Sequence, residues 1–146
     1  MSAPENCCLE CGASWAGGKI CEEIFHEFLT LEFENYNGEG EVHFYTVANY
    51  MIQHQRYSPE GLQWIRQQLG NALAGRLSLE EIQAIAGKSV GQDKRNWKVT
   101  RDKNTPIQPP LNWPITIVDV YRDADTDYNT RILRWAQSII DTLDSQ

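Results

Sequence analysis

The sequence predicts a mainly α-helical single domain. Three observations carry that expectation. The chain has 146 residues, 41% of them hydrophobic, with 5 Trp, 6 Tyr and 4 Phe; that is enough to bury roughly two-thirds of the unfolded surface in one core and excludes disorder as a class. Apolar residues recur at three- and four-residue intervals in successive segments. Those segments open at capping residues and close at Gly or Asn. No apolar run approaches membrane-spanning length. Met1 to Asn6 has neither the basic start nor the apolar stretch of a signal peptide, so a cytoplasmic location is expected.

The first helix is expected from Cys21 to about Glu34, where Ile24, Phe25, Phe28, Leu29 and Phe33 fall at helical spacing. Asn35, Asn37, Gly38 and Gly40 supply a turn, because Asn and Gly tolerate left-handed backbone angles. A second helix runs from about Glu41 to His54, with Val42, Val47, Tyr50 and Met51 available for packing. Ser58 and Pro59 start a third: serine caps, and proline fits the first helical position. Its apolar residues are Leu62, Ile65, Leu69 and Leu73, and Gly75 stops it. Ser78 and Glu81 form a capping box for a shorter helix ending near Gly87.

Residues 88–114 lack helical period and contain Pro106, Pro109, Pro110 and Pro114. They are expected to form a long irregular connection, with a short extended piece over residues 97–100. A connection this long either serves function or packs across the surface. Thr116 and Asp119 can cap a short helix through Ile117, Val118 and Tyr121. The last helix, about Thr126 to Leu143, places Tyr128, Ile132, Trp135, Ile139 and Leu143 on one face. The expected organisation is thus a knuckle (1–21), a helical core (21–87), an irregular connection (88–114) and C-terminal helices (115–146).

Charge is uneven. Residues 1–75 carry 3 basic and 10 acidic side chains, residues 76–105 carry 7 and 4, and residues 106–146 carry 3 and 6. The formal net charge of -7 argues against nonspecific nucleic-acid binding, which needs clustered Lys and Arg. The exception is Lys88, Lys94, Arg95, Lys98, Arg101 and Lys103 around Trp97, a set that is either a solvated loop or a polyanion-binding segment.

The four cysteines, Cys7, Cys8, Cys11 and Cys21, all fall within the first 21 residues. Structural disulfides would be spread along the chain, so clustering points to a metal or redox site. Cys8-x-x-Cys11 lets two thiolates reach one tetrahedral ion, and Gly12 permits the tight turn behind them. Cys21 follows where the chain enters the first helix. A thioredoxin-like pair would need a strand before Cys8, and only seven residues precede it. Free thiols, or an iron–sulfur cluster using all four cysteines, are the remaining alternatives. Three sulfurs leave one zinc position, for which His26, His43 and His54 compete.

Helical geometry chooses among the histidines. On one continuous helix, His43 and His54 point within about 20° of each other but stand roughly 16 Å apart along the axis, so both cannot bind one ion. In an antiparallel hairpin about residue 38, Cys21 lies opposite residue 55, beside His54, whereas His43 lies at the far end near Phe33. His26 is about 140° around the helix from Cys21. The expected zinc ligands are Cys8, Cys11, Cys21 and His54, with Cys7 a spare thiol. His43 is expected to meet Glu32 or Glu34 across the hairpin, as a satisfied polar pair or an acid–base pair. Tyr50, one face-repeat after His43, is expected in the core. Glu22 and Glu23 favour the helix N-terminus.

Cys8-x-x-Cys11-Gly12, the run Cys21 to Leu29 and the run Val42 to His54 together resemble a family of small bacterial proteins grouped as a domain of unknown function. Trp113 to Val120 and the Trp135-Ala136 pair resemble it too, so the similarity spans most of the chain. One departure is Gln55, where members often carry proline, and it bears on where the second helix stops. The resemblance implies a metal-bearing helical domain and brings no reaction with it. The expected role is a zinc-stabilised module that binds another protein, not an enzyme. The alternatives are a zinc hydrolase holding water as the fourth ligand, with Glu22, Glu23 or His54 as base, and polyanion binding through Lys88 to Lys103.

Overall fold

The computed structural model describes residues 7–15, 18–36, 41–76, 78, 80–81, 84, 100–102, 104–123 and 125–146. Five helices carry the fold: α1 (Cys21–Tyr36), α2 (Glu41–Gln53), α3 (Pro59–Leu73), α4 (Ile117–Arg122) and α5 (Tyr128–Asp144). Among the described residues there is no strand beyond two isolated bridges, Cys7 with Ser14 and Tyr57 with Thr100. No helix of the described residues is long and apolar enough to cross a membrane. The mainly helical expectation is met.

Local signals set the helix ends. The Ser58 hydroxyl accepts from the Gly61 N–H at 2.9 Å, and Pro59 occupies the first turn. At the other end of α3, Gly75 takes φ +74°, while Gly75 N donates to Ala72 O and Arg76 N to Asn71 O. Those two bonds satisfy carbonyls that the helix leaves open, and glycine meets the positive φ without a Cβ clash. Asp127 caps α5 by accepting from Thr130 N at 3.0 Å. Asp119 accepts from the Thr116 backbone N at 2.9 Å and closes the start of α4. Ser78 and Glu81 exchange the expected capping-box bonds at 3.1 and 3.2 Å. Residues 82–83 and 85–87 of that helix, the turn at 37–40 and the extended piece at 97–99 lie outside the described residues.

α2 ends one residue before the expected His54 and by the same device as α3. Gln55 N donates to Ile52 O and Arg56 N to Met51 O, with Gln55 at φ +57°. Proline, locked near −65°, cannot take that angle. The departure at residue 55 therefore gives this chain a left-handed turn out of α2. The Gln55 side chain then stitches three segments: its amide N donates to Glu10 O (3.2 Å) and Gln108 O (2.7 Å), and its carbonyl oxygen accepts from Gln108 N (2.8 Å).

α2 is the central element, and its main neighbour is α5, with α1 and α3 also against it. The predicted α1–α2 contact exists but does not dominate. The core gathers Ile24, Phe28, Ile65, Leu69, Ile132, Trp135 and Ile139, all buried. Phe33, which fits the apolar spacing of α1, is instead 64% exposed. Buried polar side chains lock the packing. Gln53 donates to Ile115 O at 2.7 Å and accepts from the indole N–H of fully buried Trp135 at 3.0 Å.

Glu32 is the other lock. Its carboxylate is fully buried and meets His43 Nδ1 at 2.9 Å, accepts from Thr46 Oγ1 at 2.6 Å and accepts from the Tyr128 hydroxyl. One side chain of α1 thus joins α2 and α5. Of the two partners expected for His43, Glu32 is the one it meets. Burial, followed by the Glu32 carboxylate, pushes the Tyr128 phenol above its ordinary range. Glu32→Ala strips the acceptor from three donors, and each buried donor left unpaired costs on the order of 1–3 kcal/mol. Urea denaturation should show a loss at least that large, with Glu32→Gln, which keeps an acceptor oxygen, losing less. An unchanged midpoint for Glu32→Ala would remove this network from the account of stability.

Candidate metal centre

The N-terminal segment folds into a knuckle because its backbone turns on itself around the cysteines. Cys8 N donates to Ala13 O at 2.8 Å, Gly12 N to Cys8 O at 2.9 Å, and Cys7 pairs with Ser14. Gly12 takes φ +82°, and a Cβ there would stand 3.4 Å from the Pro110 ring. Glycine is required for the angle, and the Pro110 ring lies at ordinary contact distance beside it.

This turn points Cys8 and Cys11 inward, α1 delivers Cys21 from its first residue, and His54 follows directly on the last residue of α2. The four ligand atoms lie within 4.8 Å of one another, and all four residues are buried. Cys11 Sγ and Cys21 Sγ are 3.7 Å apart. No cysteine is in a disulfide among the described residues. The group has the donor types, burial and spacing to hold a metal ion, and it is the quartet expected from sequence. Cys7 is half-buried and outside the group, as expected. His26 is exposed on α1 and His43 is bound to Glu32, so neither reaches the group.

The imidazole is oriented by its protein neighbours. His54 Nδ1 lies 2.8 Å from the Tyr50 carbonyl oxygen, an acceptor, so the ring proton sits on Nδ1. His54 Nε2 is buried and has no hydrogen-bond partner among the described residues. A lone pair in that position is costly unless something binds it, and a histidine anchored through its other nitrogen is the common form of a metal ligand. The ring plane is fixed by stacking: Phe25, Tyr50 and His54 lie face to face, with centroids 3.9 and 4.0 Å apart.

The thiols titrate as a set. Hydrogen bonds from Cys11, then Cys21, hold the Cys8 thiol far below its ordinary range. Hydrogen bonding to Cys21 and Cys8, together with burial, pushes Cys11 far up. Cys21 is lowered by Cys11 but raised more by Cys8 and by burial, and is pushed up to about 12. In the metal-free group the three thiols therefore lose protons as a coupled set. A cation at the centre replaces those protons, which makes its binding pH-dependent.

Two supporting residues escaped the sequence reading. The Trp15 indole N–H donates to Cys21 Sγ at 3.1 Å, stabilising negative charge on that sulfur. Gln55 ties the end of α2 to the backbone of Glu10, inside the Cys8–Cys11 turn. The tryptophan's place in the knuckle was a signal in hindsight; nothing marked the glutamine. Outside the quartet, Leu9, Ile20 and Ile107 stand exposed along a groove that Cys8, Cys21 and His54 also line. Apart from Arg101, the basic side chains of the Lys88–Lys103 segment lie outside the described residues.

Removing the Trp15 N–H with Trp15→Phe should weaken Zn(II) or Co(II) binding about tenfold, the usual effect of losing an outer contact to a ligand. His54→Ala should weaken it further, because a ligand itself is lost. Chelator competition measures both. Equal affinities for the wild type and His54→Ala would take the imidazole out of the centre.

No curated protein and no solved structure matches the chain. Residues 6–144 match the family of unknown function DUF5946, and the chain belongs to that family.

Proposed function

We propose that the chain is a zinc-stabilised helical module that binds another protein, working in a reducing compartment such as the cytoplasm. The observation that carries the zinc assignment is the pairing of a 3.7 Å sulfur–sulfur separation with an unpartnered, buried imidazole nitrogen. Two sulfurs bound at about 2.3 Å to one tetrahedral zinc stand about 3.8 Å apart, so the thiols are spaced for zinc with little movement. Thiolate and imidazole donors suit zinc, which in a set of three cysteines and one histidine is four-coordinate.

A complete set of four protein ligands leaves no place for a reacting water. Three thiolates also feed charge to the ion and weaken it as a Lewis acid. The metal's work is therefore to hold the knuckle against α1 and the end of α2. The protein-binding role draws on the surface beside the centre, where Leu9 is 62% exposed, Ile107 47% and Ile20 40%. Clustered exposed apolar side chains mark interaction sites more often than single ones do.

Elemental analysis of the purified chain should give one zinc per chain, and the cobalt-substituted protein should show the visible absorption of a tetrahedral thiolate site. Chelation, or Cys11→Ser, should lower the melting temperature by at least about 10 °C, since a loss of several kcal/mol shifts a domain of this size by that much. Thermal unfolding that is unchanged by metal removal would overturn the structural role.

A further inference from the structure

The cysteine–histidine group contains two sulfurs that can react with each other. Cys11 Sγ and Cys21 Sγ are in contact at 3.7 Å, and both cysteines are free. A disulfide sets its sulfurs about 2.05 Å apart, so the pair needs to close by less than about 2 Å. The two residues belong to different segments: Cys11 ends the C-x-x-C turn of the knuckle, and Cys21 opens α1. A bond between them ties the knuckle to α1 and leaves His54 out.

Burial selects what can oxidise them. Cys11 and Cys21 are each 2% exposed and Cys8 is 6% exposed. A bulky disulfide such as oxidised glutathione is shut out, while a molecule little larger than water is not. Metal ligation keeps the sulfurs as thiolates, and the thiolate is the form that attacks a peroxide. We propose that Cys11 and Cys21 form a dithiol switch, oxidised by hydrogen peroxide to a disulfide that releases the metal. One thiolate of the pair attacks a peroxide oxygen; the O–O bond breaks, an S–O bond forms and hydroxide leaves. The other thiolate attacks that sulfenic sulfur; the S–S bond forms, the S–O bond breaks and a second hydroxide leaves. The pair gives up two electrons, the peroxide gains them, and two solvent protons convert both hydroxides to water.

Oxidation leaves Cys8 and His54, two of the four donors that a structural zinc needs. Among the described residues, the hydrogen bonds that still join the knuckle to the exit of α2 both end on Glu10. Its carbonyl accepts from Gln55 at 3.2 Å, and its carboxylate pairs with Arg56 at 3.1 Å on the surface, where such a pair is weak. Leu9 sits between Cys8 and Cys11, and Ile20 directly precedes Cys21. Closing the pair therefore shifts two of the exposed apolar residues assigned to protein binding. The inference rests on the zinc and protein-binding readings and adds how one oxidant regulates both.

The test treats the zinc-assayed full chain with hydrogen peroxide and follows zinc release, against an untreated control, with a chromophoric chelator. Disulfides are then mapped by mass spectrometry after trypsin digestion without reductant. Trypsin cuts after Lys19 and Arg56, so a Cys11–Cys21 bond joins peptide 1–19 to peptide 20–56, whereas a Cys8–Cys11 bond stays inside the first. Fragmentation of the joined pair shows which of Cys7, Cys8 and Cys11 is bonded. The expected result is one Cys11–Cys21 disulfide and the loss of one zinc per chain at a common rate. Dithiothreitol with added zinc should reverse both. Cys7→Ser should leave the rate and the pairing unchanged, and oxidised glutathione should leave the zinc in place. Zinc lost without a Cys11–Cys21 bond, a bond confined to other cysteines, or zinc retained in excess peroxide would overturn the switch. Release by oxidised glutathione as fast as by peroxide would overturn the selection by burial. A chain that holds zinc and forms no Cys11–Cys21 bond sinks this inference alone, whereas a chain purified without zinc sinks the reading of the centre and this inference with it.

Discussion

Three thiols and one imidazole have to be buried at a single point, and the elements around that point are arranged to make it possible. Cys8, Cys11, Cys21 and His54 arrive from a knuckle, the first residue of α1 and the residue that follows α2. Bare thiols share protons poorly in a buried setting, and an unpartnered imidazole nitrogen is costly. A cation at the centre turns both liabilities into bonds. Under the proposed zinc reading, the stability of the N-terminal knuckle depends on the ion at that point.

The constraint propagates through the exit from α2. His54 follows the helix and Gln55 leaves it at φ +57°, a conformation most residues avoid. Hydrogen bonds from the Gln55 side chain to Glu10 and Gln108 hold that turn and bring the 106–111 strap to the knuckle. The same residue thus ties the exit of α2 to the knuckle and holds the outer wall of the cavity between the α2–α3 junction and residues 100–113. The cysteine–histidine group and the cavity share a scaffold while remaining chemically separate, one rich in sulfur and the other in aromatic and proline rings.

Along α2 the packing is fixed by buried polar groups. Glu32 gathers His43, Thr46 and Tyr128, and Gln53 bridges Trp135 to Ile115. Buried polar contacts of this kind demand particular partners, so they specify one arrangement of α1, α2 and α5 where apolar surfaces alone would tolerate several. Buried polar contacts therefore hold the central helix near both of its ends.

The sequence by itself determined where helices begin and end at Ser58, Gly75, Thr116 and the Asp127 region, because capping and positive-φ turns are decided within a few residues. It also determined the quartet Cys8, Cys11, Cys21 and His54, because the 3.6-residue period and an antiparallel hairpin leave few ways to bring a histidine to Cys21. Only the tertiary structure decided that α2 packs mainly on α5, that Phe33 faces solvent, and that Trp15, Tyr50 and Gln55 support the centre. Those outcomes depend on contacts between residues up to about a hundred positions apart, such as Glu32 with Tyr128. Their energies come from burial and from partners that no local pattern encodes. The cavity belongs to the same class, since its walls come from segments that meet only once the chain has folded.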